Sequence, residues 1–177
     1  MIVYQARGLT SRAQARDLLA LAAKEVWGLS SLPVLARLEH GKPWFPERED
    51  LHFNLSHSRD RALCALDSES VGVDIQFVKE WRPKLPEHVC SPAELDWLEC
   101  QSEPGPAFTL LWTLKEARVK QSGLGLTTSI PDIRVPLPAD GSVRLDGLWF
   151  RTWTGPGWAA AVCGHSEPLE NIIEVKL

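Results

Sequence analysis

Residues 112–126 read WTLKEARVKQSGLGL, and this stretch determines how the rest of the chain is interpreted. Apolar residues recur within it and just before it at helical spacing, which predicts one helix from about residue 107 to residue 121. The predicted apolar stripe consists of Leu110, Leu114 and Ala117. Gly123 and Gly125 come next, and because glycine accepts left-handed backbone they are expected to end the helix and allow a tight turn.

A second face of this helix carries Trp112, Glu116 and Lys120, each four residues from the next. The simplest interpretation of Glu116 and Lys120 is an ion pair facing solvent, which stabilises a helix by about 0.2–0.5 kcal/mol. A role in a site depends on which other residues the chain brings to this face.

The composition is ordinary for a soluble globular protein, with 44% hydrophobic and 24% charged residues. The 177 residues suffice for one or two compact units. A net charge of −4 argues against a general nucleic-acid surface. No apolar run reaches the roughly 18 residues of a membrane span, and the start of the chain lacks the apolar segment of a signal peptide. We therefore expect no nucleic-acid and no membrane partner.

The cysteines indicate a reducing compartment. They are Cys64, Cys90, Cys100 and Cys163, and none forms a C-x-x-C pair, so a zinc site is not expected. Cys64 and Cys163 lie inside apolar, strand-like runs and are predicted to be buried thiols. Free thiols of this kind favour a cytoplasmic location.

The first third of the chain predicts a short strand, one helix and a hairpin. The expected elements are a strand at residues 2–6, a helix capped by Thr10 or Ser11 that ends at Trp27, a loop at 29–50, and strands beginning at Phe53 and Ala62 joined through Arg59 and Asp60.

Residues 71–77, VGVDIQF, alternate cleanly and predict a strand whose odd-numbered residues face the core. Asp74 and Gln76 lie on the other face. Because aspartate is disfavoured inside strands, two interpretations stay open. The strand either shows a polar face to water or fixes a carboxylate on a rigid element, as a metal site requires.

The remaining sequence predicts helices followed by strands. Residues 79–90 are expected to be irregular, and Ser91, Pro92 and Glu94 form the capping box of a helix that ends near Cys100. Strand signals follow at 133–136, 143–145, 148–153, 158–163 and 172–175, with turns at Asp140-Gly141 and at 155–157. The order is compatible with two α+β halves that share a groove.

Four motifs in this order resemble the surfactin-type 4′-phosphopantetheinyl transferases. They are Gly41-Lys42-Pro43, FNLSHS at 53–58, VGVDI at 71–75 and the opening stretch at 112–126. The resemblance implies an α+β fold built as a pseudo-twofold pair of similar halves, residues 1–68 and 69–177, with the active site at their interface. It also implies Mg²⁺-dependent transfer of the phosphopantetheine arm of coenzyme A to a serine of an acyl or peptidyl carrier protein.

The resemblance assigns roles to single residues. Asp74 matches the metal-binding aspartate, and Glu116 matches a glutamate that binds the metal and helps to deprotonate the serine. Lys120 matches the lysine that stabilises or protonates the leaving phosphate, and Lys115 is expected near the phosphates. The coenzyme A contacts implied by the resemblance are Arg16, Lys42, Pro43, Ser56, His57, Lys115 and Lys120, with Arg16 and His57 on the 3′-phosphate.

The chain departs from the family pattern in two places. Position 76 is glutamine where many members have a second acid, so Gln76 is expected as a metal ligand that brings no charge. The chain before Arg16 is short, which leaves the 3′-phosphate to Arg16, Arg12 and other groups.

Two alternatives to an active transferase stay open. One is a non-catalytic coenzyme A or carrier-protein binding module on the same fold, and the other is a Mg²⁺-dependent pyrophosphate hydrolase. A monomer is expected, because the two halves of one chain complete the site.

Overall fold

The computed structural model describes residues 1–11, 13–125 and 127–177. The strands are β1 (Ile2–Arg7), β2 (Ala36–Arg37), β3 (Pro43–Trp44), β4 (His52–Ser58), β5 (Arg61–Asp67), β6 (Gly72–Phe77), β7 (Ser142–Leu145), β8 (Leu148–Gly155), β9 (Trp158–Gly164) and β10 (Ile173–Val175). The helices are α1 (Gln14–Trp27), α2 (Pro86–Val89), α3 (Pro92–Glu99) and α4 (Pro104–Ser122), with a 3₁₀ turn at Ile130–Asp132.

Two four-stranded sheets form the framework. The first sheet has the order β10-β1-β5-β4 and the second has the order β6-β9-β8-β7. Neighbouring strands are antiparallel except for β10, which pairs parallel with β1. The α+β class is confirmed. The last strand of the chain returns to the first sheet, and the similarity of the two halves and the division at residue 68 stay predictions.

Helix α1 covers one face of the first sheet. Its buried residues are Ala15, Leu18, Leu19, Ala22 and Ala23, and they pack against Tyr4, Phe53, Cys64 and Leu66. The predicted cap by Thr10 or Ser11 is wrong. Instead, the side chain of Gln14 accepts hydrogen bonds from the backbone N–H groups of both residues, at 2.7 and 3.1 Å. Gly28 ends the helix with φ of 66°.

Helix α4 lies across the second sheet. It begins three residues earlier than predicted, and its core-facing residues include Leu111, Leu114 and Ala117, whereas Leu110 is only half-buried. Gly72 of β6 permits the closest approach. A Cβ atom there would lie 2.0 Å from the carbonyl oxygen of Ala117, so only glycine lets the helix reach the strand.

Three further details differ from the sequence-based expectation. Residues 86–89 form α2, with Pro86 at its first position, although the prolines of this region predicted irregular chain. Residues 133–136 form no strand and instead follow the 3₁₀ turn. The tight turn between β7 and β8 is Asp146-Gly147, with φ of 51° and 81°, rather than Asp140-Gly141.

The sheets meet edge to edge through side chains of β4 and backbone of β6. Backbone N–H groups of Val73, Ile75 and Phe77 donate to the side chains of Asn54, Ser56 and Ser58, respectively, at 3.0–3.3 Å. Each bond joins residues 19 apart in sequence. This polar ladder gives the outer edge of β6 the partners that a neighbouring strand would supply.

An apolar layer lies beside this ladder. Val3, Leu63 and Ala65 of the first sheet pack with Val73, Ile75 and Val162 of the second. The odd-numbered residues of β6 therefore face the core, as the alternation predicted. Within the described parts of the chain, no helix combines the length and apolar character that crossing a membrane requires.

Candidate active site

The ladder between the sheets presents Asp74 to helix α4. Asp74 is 1% exposed, although it lies inside a strand. Its carboxylate accepts a hydrogen bond from the hydroxyl of Ser56 at 2.7 Å and pairs with the ammonium of Lys120 at 2.6 Å. The interpretation of a polar strand face turned to water is therefore wrong, and the strand fixes this carboxylate in the interior.

Ser56 occupies the centre of this group. Its hydroxyl donates to Asp74 and accepts from Lys120 at 3.0 Å and from the backbone N–H of Ile75 at 3.2 Å. Its one proton and both acceptor positions are thus used. This side chain faces β6 and holds Asp74 and Lys120 in place, and its coenzyme A contact stays a prediction.

Glu116 lies one helical turn before Lys120, where Asp74 acts on it electrostatically. Burial, together with the negative charge of Asp74, raises the pKa of the Glu116 carboxyl, and Lys120 opposes that change. The sequence therefore correctly places Glu116 and Lys120 on one face of α4. Lys120 pairs with Asp74 and Glu116 lines a cavity, instead of the two forming an ion pair in bulk solvent.

Gln76 belongs to the same group but contacts it differently from the prediction. Its amide nitrogen donates to the second carboxylate oxygen of Asp74 at 3.2 Å. Gln76 and Glu116 also line one cavity. The direct contact is a hydrogen bond that orients Asp74, and a role for Gln76 as a metal ligand stays a prediction.

A cavity of about 540 Å³ opens beside Glu116. Aromatic side chains form much of its wall, namely Phe77, Trp81, Phe108 and Trp112. Lys79 and Arg82 stand at the same cavity and are exposed. The volume and the mixed lining suit an organic substrate next to a carboxylate.

The carboxylates beside the cavity can be compared with the ligands that a divalent metal requires. Among the described residues, no cluster of three or more His, Cys, Asp or Glu side chains could hold an ion. Asp74 and Glu116 nevertheless bring two carboxylates close enough that one raises the pKa of the other. Because Mg²⁺ is usually held by one or two carboxylates together with substrate phosphates and water, this donor set fits it.

Lys42 binds the protein itself. Its ammonium donates to the hydroxyl of Ser70 at 2.8 Å and to the carbonyl oxygens of Val71 and Gln121 at 3.0 and 2.9 Å. All three donors are used within the protein, and a coenzyme A contact by Lys42 stays a prediction. In this structure Lys42 joins the loop before β3 to the end of α4, and Pro43 follows it in β3.

Lys115 is likewise directed away from Asp74. It is 1% exposed, forms an ion pair with Glu94 at 2.9 Å and donates to the carbonyl oxygens of Ile130 and Ile133, each at 3.0 Å. Its ammonium is enclosed by α3 and the 3₁₀ turn, and a place near the phosphates stays a prediction.

The residues expected at the 3′-phosphate lie on the α1 side of the first sheet. Arg16 is exposed on α1. His57 alternates with the β4 residues that face β6, so its side chain lies on the α1 side of the sheet with Phe53 and Leu55. Arg12 lies outside the described residues.

Sequence reasoning missed the polar ladder and the partner of Lys115. Asn54 and Ser58 share a strand face with Ser56, and three small polar residues at alternate positions of a strand were the available signal. Glu94 was identified only as part of a capping box. Nothing local in the sequence indicates that the same carboxylate also pairs with Lys115.

Comparison with known families identifies relatives over most of the chain. The profile of the 4′-phosphopantetheinyl transferase superfamily matches residues 70–164. This range contains β6 and α4, the two elements that supply Asp74, Glu116 and Lys120.

Individual relatives agree with that match. A 4′-phosphopantetheinyl transferase of Bacillus subtilis is 33% identical over 169 residues, which cover 90% of this chain and 75% of the relative. The 4′-phosphopantetheinyl transferase Sfp of Bacillus subtilis strain 168 is 33% identical, covering 77% of this chain and 66% of its own length. The 4′-phosphopantetheinyl transferase AcpT of Salmonella typhimurium is 40% identical over 129 residues, which cover 68% of this chain and 66% of the relative.

Proposed function

The chain belongs to the 4′-phosphopantetheinyl transferase superfamily, and from this premise we propose that it transfers the phosphopantetheine arm of coenzyme A to a serine of an acyl or peptidyl carrier protein. The observation that supports this most directly is the convergence of Asp74, Glu116 and Lys120 beside the cavity. Three elements that are distant in sequence, β4, β6 and α4, build this one polar centre.

The reaction forms one P–O bond and breaks another. The serine oxygen attacks the β-phosphorus of coenzyme A, and the bond from this phosphorus to the bridging oxygen breaks. The products are the phosphopantetheinylated carrier and adenosine 3′,5′-bisphosphate. Because the pyrophosphate is anionic, the site must stabilise negative charge and take the proton of the serine.

Glu116 is the proposed proton acceptor. Burial and Asp74 raise the pKa of its carboxyl, which brings that pKa closer to neutral pH and makes a better base than an exposed glutamate. Its place at the cavity lets a serine approach it. Lys120 is the proposed cation at the leaving phosphate. Its ammonium donates to Asp74, Ser56 and the carbonyl oxygen of Val73, but its side chain is 27% exposed, whereas Lys115 is 1% exposed, so a phosphate can reach it.

Asp74 and Glu116 are the proposed ligands of Mg²⁺, with Gln76 as an uncharged third candidate. When bound, the ion would polarise the pyrophosphate and neutralise part of its charge. Ser56 and Gln76 keep the Asp74 carboxylate in one orientation through their hydrogen bonds. Fixed ligands of this kind reduce the reorganisation that binding requires.

Coenzyme A is proposed to lie across the joint between the sheets. Its pyrophosphate would meet Lys120, and its 3′-phosphate would meet Arg16 and His57 on the α1 side. Lys42 and Pro43 are the proposed adenine-side contacts, and Lys42 also supports the end of α4 through its bonds to Val71 and Gln121.

The carrier protein is proposed to dock on residues 81–89. Trp81, Arg82 and Leu85 of this segment line the cavity, and Arg82 and Lys84 are exposed cations. Positive charge at the cavity complements the acidic surface expected of a carrier near its serine, despite the net negative charge of the chain.

Docking is tested by charge reversal. Changing Arg82 and Lys84 to Glu should raise the carrier KM about tenfold or more and leave the Kd of coenzyme A unchanged. The matched control changes Lys24 and Lys176 to Glu, because both are exposed and neither lines the cavity. An unchanged carrier KM in the Arg82/Lys84 variant would exclude this surface.

Mass spectrometry tests the activity itself. Apo carrier proteins of fatty-acid, polyketide and peptide type are incubated with the protein, coenzyme A and Mg²⁺, each also without the metal. We expect a carrier to gain the phosphopantetheine arm only with Mg²⁺ present. An unmodified panel with intact coenzyme A indicates a binding module, and bisphosphate release without a modified carrier indicates a hydrolase. We also propose that the chain acts as a monomer in the cytoplasm, which sedimentation and fractionation test.

A further inference from the structure

The ammonium of Lys115 has no donor left for a substrate. It is 1% exposed, and its three bonds go to Glu94 at 2.9 Å and to the carbonyl oxygens of Ile130 and Ile133 at 3.0 Å each. An ammonium group has three N–H donors, so this set is complete. A buried cation of this kind is tolerated only because every donor is paired.

These three partners belong to two different segments. Glu94 is 4% exposed and also accepts the backbone N–H of Ser91 at 2.7 Å, so it closes the start of α3. Ile130 and Ile133 bracket the 3₁₀ turn. Lys115 therefore joins α3 and the 3₁₀ turn to the helix that supplies Glu116.

The 3₁₀ turn borders the cavity beside Glu116. Ile130 lines the cavity, and α2, whose residues His88 and Val89 also line it, packs against the 3₁₀ turn. Val89, Cys90 and Leu111 form a small core below this wall, with Ile130 and Trp112 packed against it. Movement of the turn would therefore shift the wall relative to Glu116.

We infer that Lys115 is a positioning residue that fixes the cavity wall next to Glu116 through its buried ion pair with Glu94, and that it does not bind the phosphates of coenzyme A. The inference rests on the proposed function for its catalytic consequence. It assigns Glu94, which no motif singled out for the site, to the same role. Loss of either charge should impair use of the carrier serine and spare coenzyme A binding.

Three variants separate the two roles of Lys115: Lys115→Met, Glu94→Gln and the double variant. Methionine keeps most of the lysine volume without the charge. Glutamine at position 94 can still accept the Ser91 N–H, so it preserves the capping box and removes only the ion pair. Removing one partner leaves an uncompensated buried charge, whereas removing both does not.

In each single variant we expect the kcat/KM for the carrier to fall by about tenfold or more, with the Kd of coenzyme A within about twofold of wild type by calorimetry. The double variant should recover part of the lost kcat/KM, because it holds no uncompensated buried charge. Hydrogen exchange at the amides of Asp132 and Ile133 should accelerate in Lys115→Met and in the double variant, because both lack the donor to Ile130 and Ile133. Lys120→Met is the comparison that should weaken coenzyme A binding.

A phosphate contact predicts the opposite pattern. Lys115→Met would then weaken coenzyme A about tenfold or more, Glu94→Gln would leave it unchanged, and the double variant would show no recovery. Either that pattern or unaltered exchange at the 3₁₀ turn overturns the inference. If Lys115→Met does not fold, Glu94→Gln and the double variant still decide. If wild type modifies no carrier, the proposed function fails, while coenzyme A binding and exchange still test Lys115.

Discussion

The two long helices, α1 and α4, bury very different side chains. The buried set of α1 is entirely apolar: Ala15, Leu18, Leu19, Ala22 and Ala23. In α4, half of the buried set is polar: Thr109, Thr113, Lys115 and Gln121, beside Ala107, Leu111, Leu114 and Ala117. One helix buries only apolar side chains, and the other also depends on particular bonds of its buried polar groups.

The difference shows that a helix carrying a site must provide hydrogen-bond partners for its buried polar side chains. A buried polar group costs free energy unless it is hydrogen-bonded. The hydroxyls of Thr109 and Thr113 donate to the carbonyl oxygens of Gly105 and Leu110, and the Gln121 amide donates to Ser70. Apolar contact is non-directional and tolerates repacking. The two threonine bonds lie within α4, whereas the bonds from Lys115 and Gln121 join it to other segments and fix its position, which its side chains at the site require.

The largest effect is expected where α4 meets β6. Asp74→Ala should lower kcat/KM by about a thousandfold or more, because a proposed metal ligand and the partner of Lys120 are lost together. Gln76→Ala should cost far less, since it removes one hydrogen bond to Asp74 and no charge. The rate of carrier modification by each variant is measured by mass spectrometry at several Mg²⁺ concentrations.

Calorimetric Mg²⁺ titrations refine this comparison. Wild type should bind the metal tightly only with coenzyme A present, and Gln76→Glu should bind it more tightly without coenzyme A because a charged ligand is added. Circular dichroism controls for folding. Equal inactivity of Gln76→Ala and Asp74→Ala would show that Gln76 is essential and that two carboxylates do not suffice.

The contact between α4 and β6 is expected to tolerate an added side chain less well than the C-terminal end of α1. In Gly72→Ala the new Cβ meets backbone atoms of α4, with Ala117 O at 2.0 Å and Gln121 N at 2.3 Å, so the helix must shift. We expect the free energy of unfolding to fall by about 3 kcal/mol. Gly28→Ala is the matched control, because its Cβ meets nothing within 4 Å and only the positive φ costs about 1 kcal/mol. Urea denaturation that found equal losses would refute this close packing.

Helix α1 is expected to contribute one substrate contact. Arg16→Ala should raise the KM for coenzyme A about tenfold and change the KM for dephospho-coenzyme A much less, because only the first substrate carries the 3′-phosphate. Lys24→Ala on the same helix is the control. Similar losses with both substrates would indicate a structural role for Arg16.

The smallest effect concerns pH and the end of α4. Burial lowers the pKa of Lys42 to about 8, from 10.5, and Cys163 opposes the change. Between these values the unfolded chain binds a proton that the folded chain has lost, so the free energy of unfolding rises with pH in that window. Below the lower value both states are protonated, and this contribution is absent.

The measurement compares wild type with Lys42→Met. Urea denaturation at several pH values between about 7 and 10 should show a rising difference between the two proteins above pH 8. Only the difference is interpreted, because other groups titrate in the same range. A difference that stays constant across the window would show that burial does not perturb Lys42.

The sequence predicts the elements of the site better than their contacts. Alternation and helical spacing locate β6, α4 and the face that Glu116 and Lys120 share. The apolar stripe shifts to Leu111 because tertiary packing, rather than periodicity alone, decides which residues α4 buries. Pro86 begins α2 because proline fits the first turn of a helix, although it was interpreted as a breaker.

Contacts between distant segments are harder to predict. Lys115 and Lys120 lie in one motif, and which one approaches Asp74 depends on the segments that pack on each side of α4, namely β6 at Lys120 and α3 with the 3₁₀ turn at Lys115. Ser56 and His57 are neighbours whose side chains lie on opposite faces of β4, so one motif supplies groups to two places. These assignments require the fold, because no local pattern records which segment will supply a partner.

The polar ladder between β4 and β6 has a consequence for how the chain avoids aggregation. Each of these strands is the last of its own sheet, and an isolated half would present it as an open edge. Asn54, Ser56 and Ser58 cover the β6 edge without continuing the sheet, so the two sheets do not merge into one eight-stranded surface. A chain cut between β5 and β6 would thus yield two fragments with mutually complementary, adhesive edges. The carboxylate of Asp74 lies on β6, the strand that most needs this cover. The ladder therefore both protects the chain from self-association and helps to assemble the site.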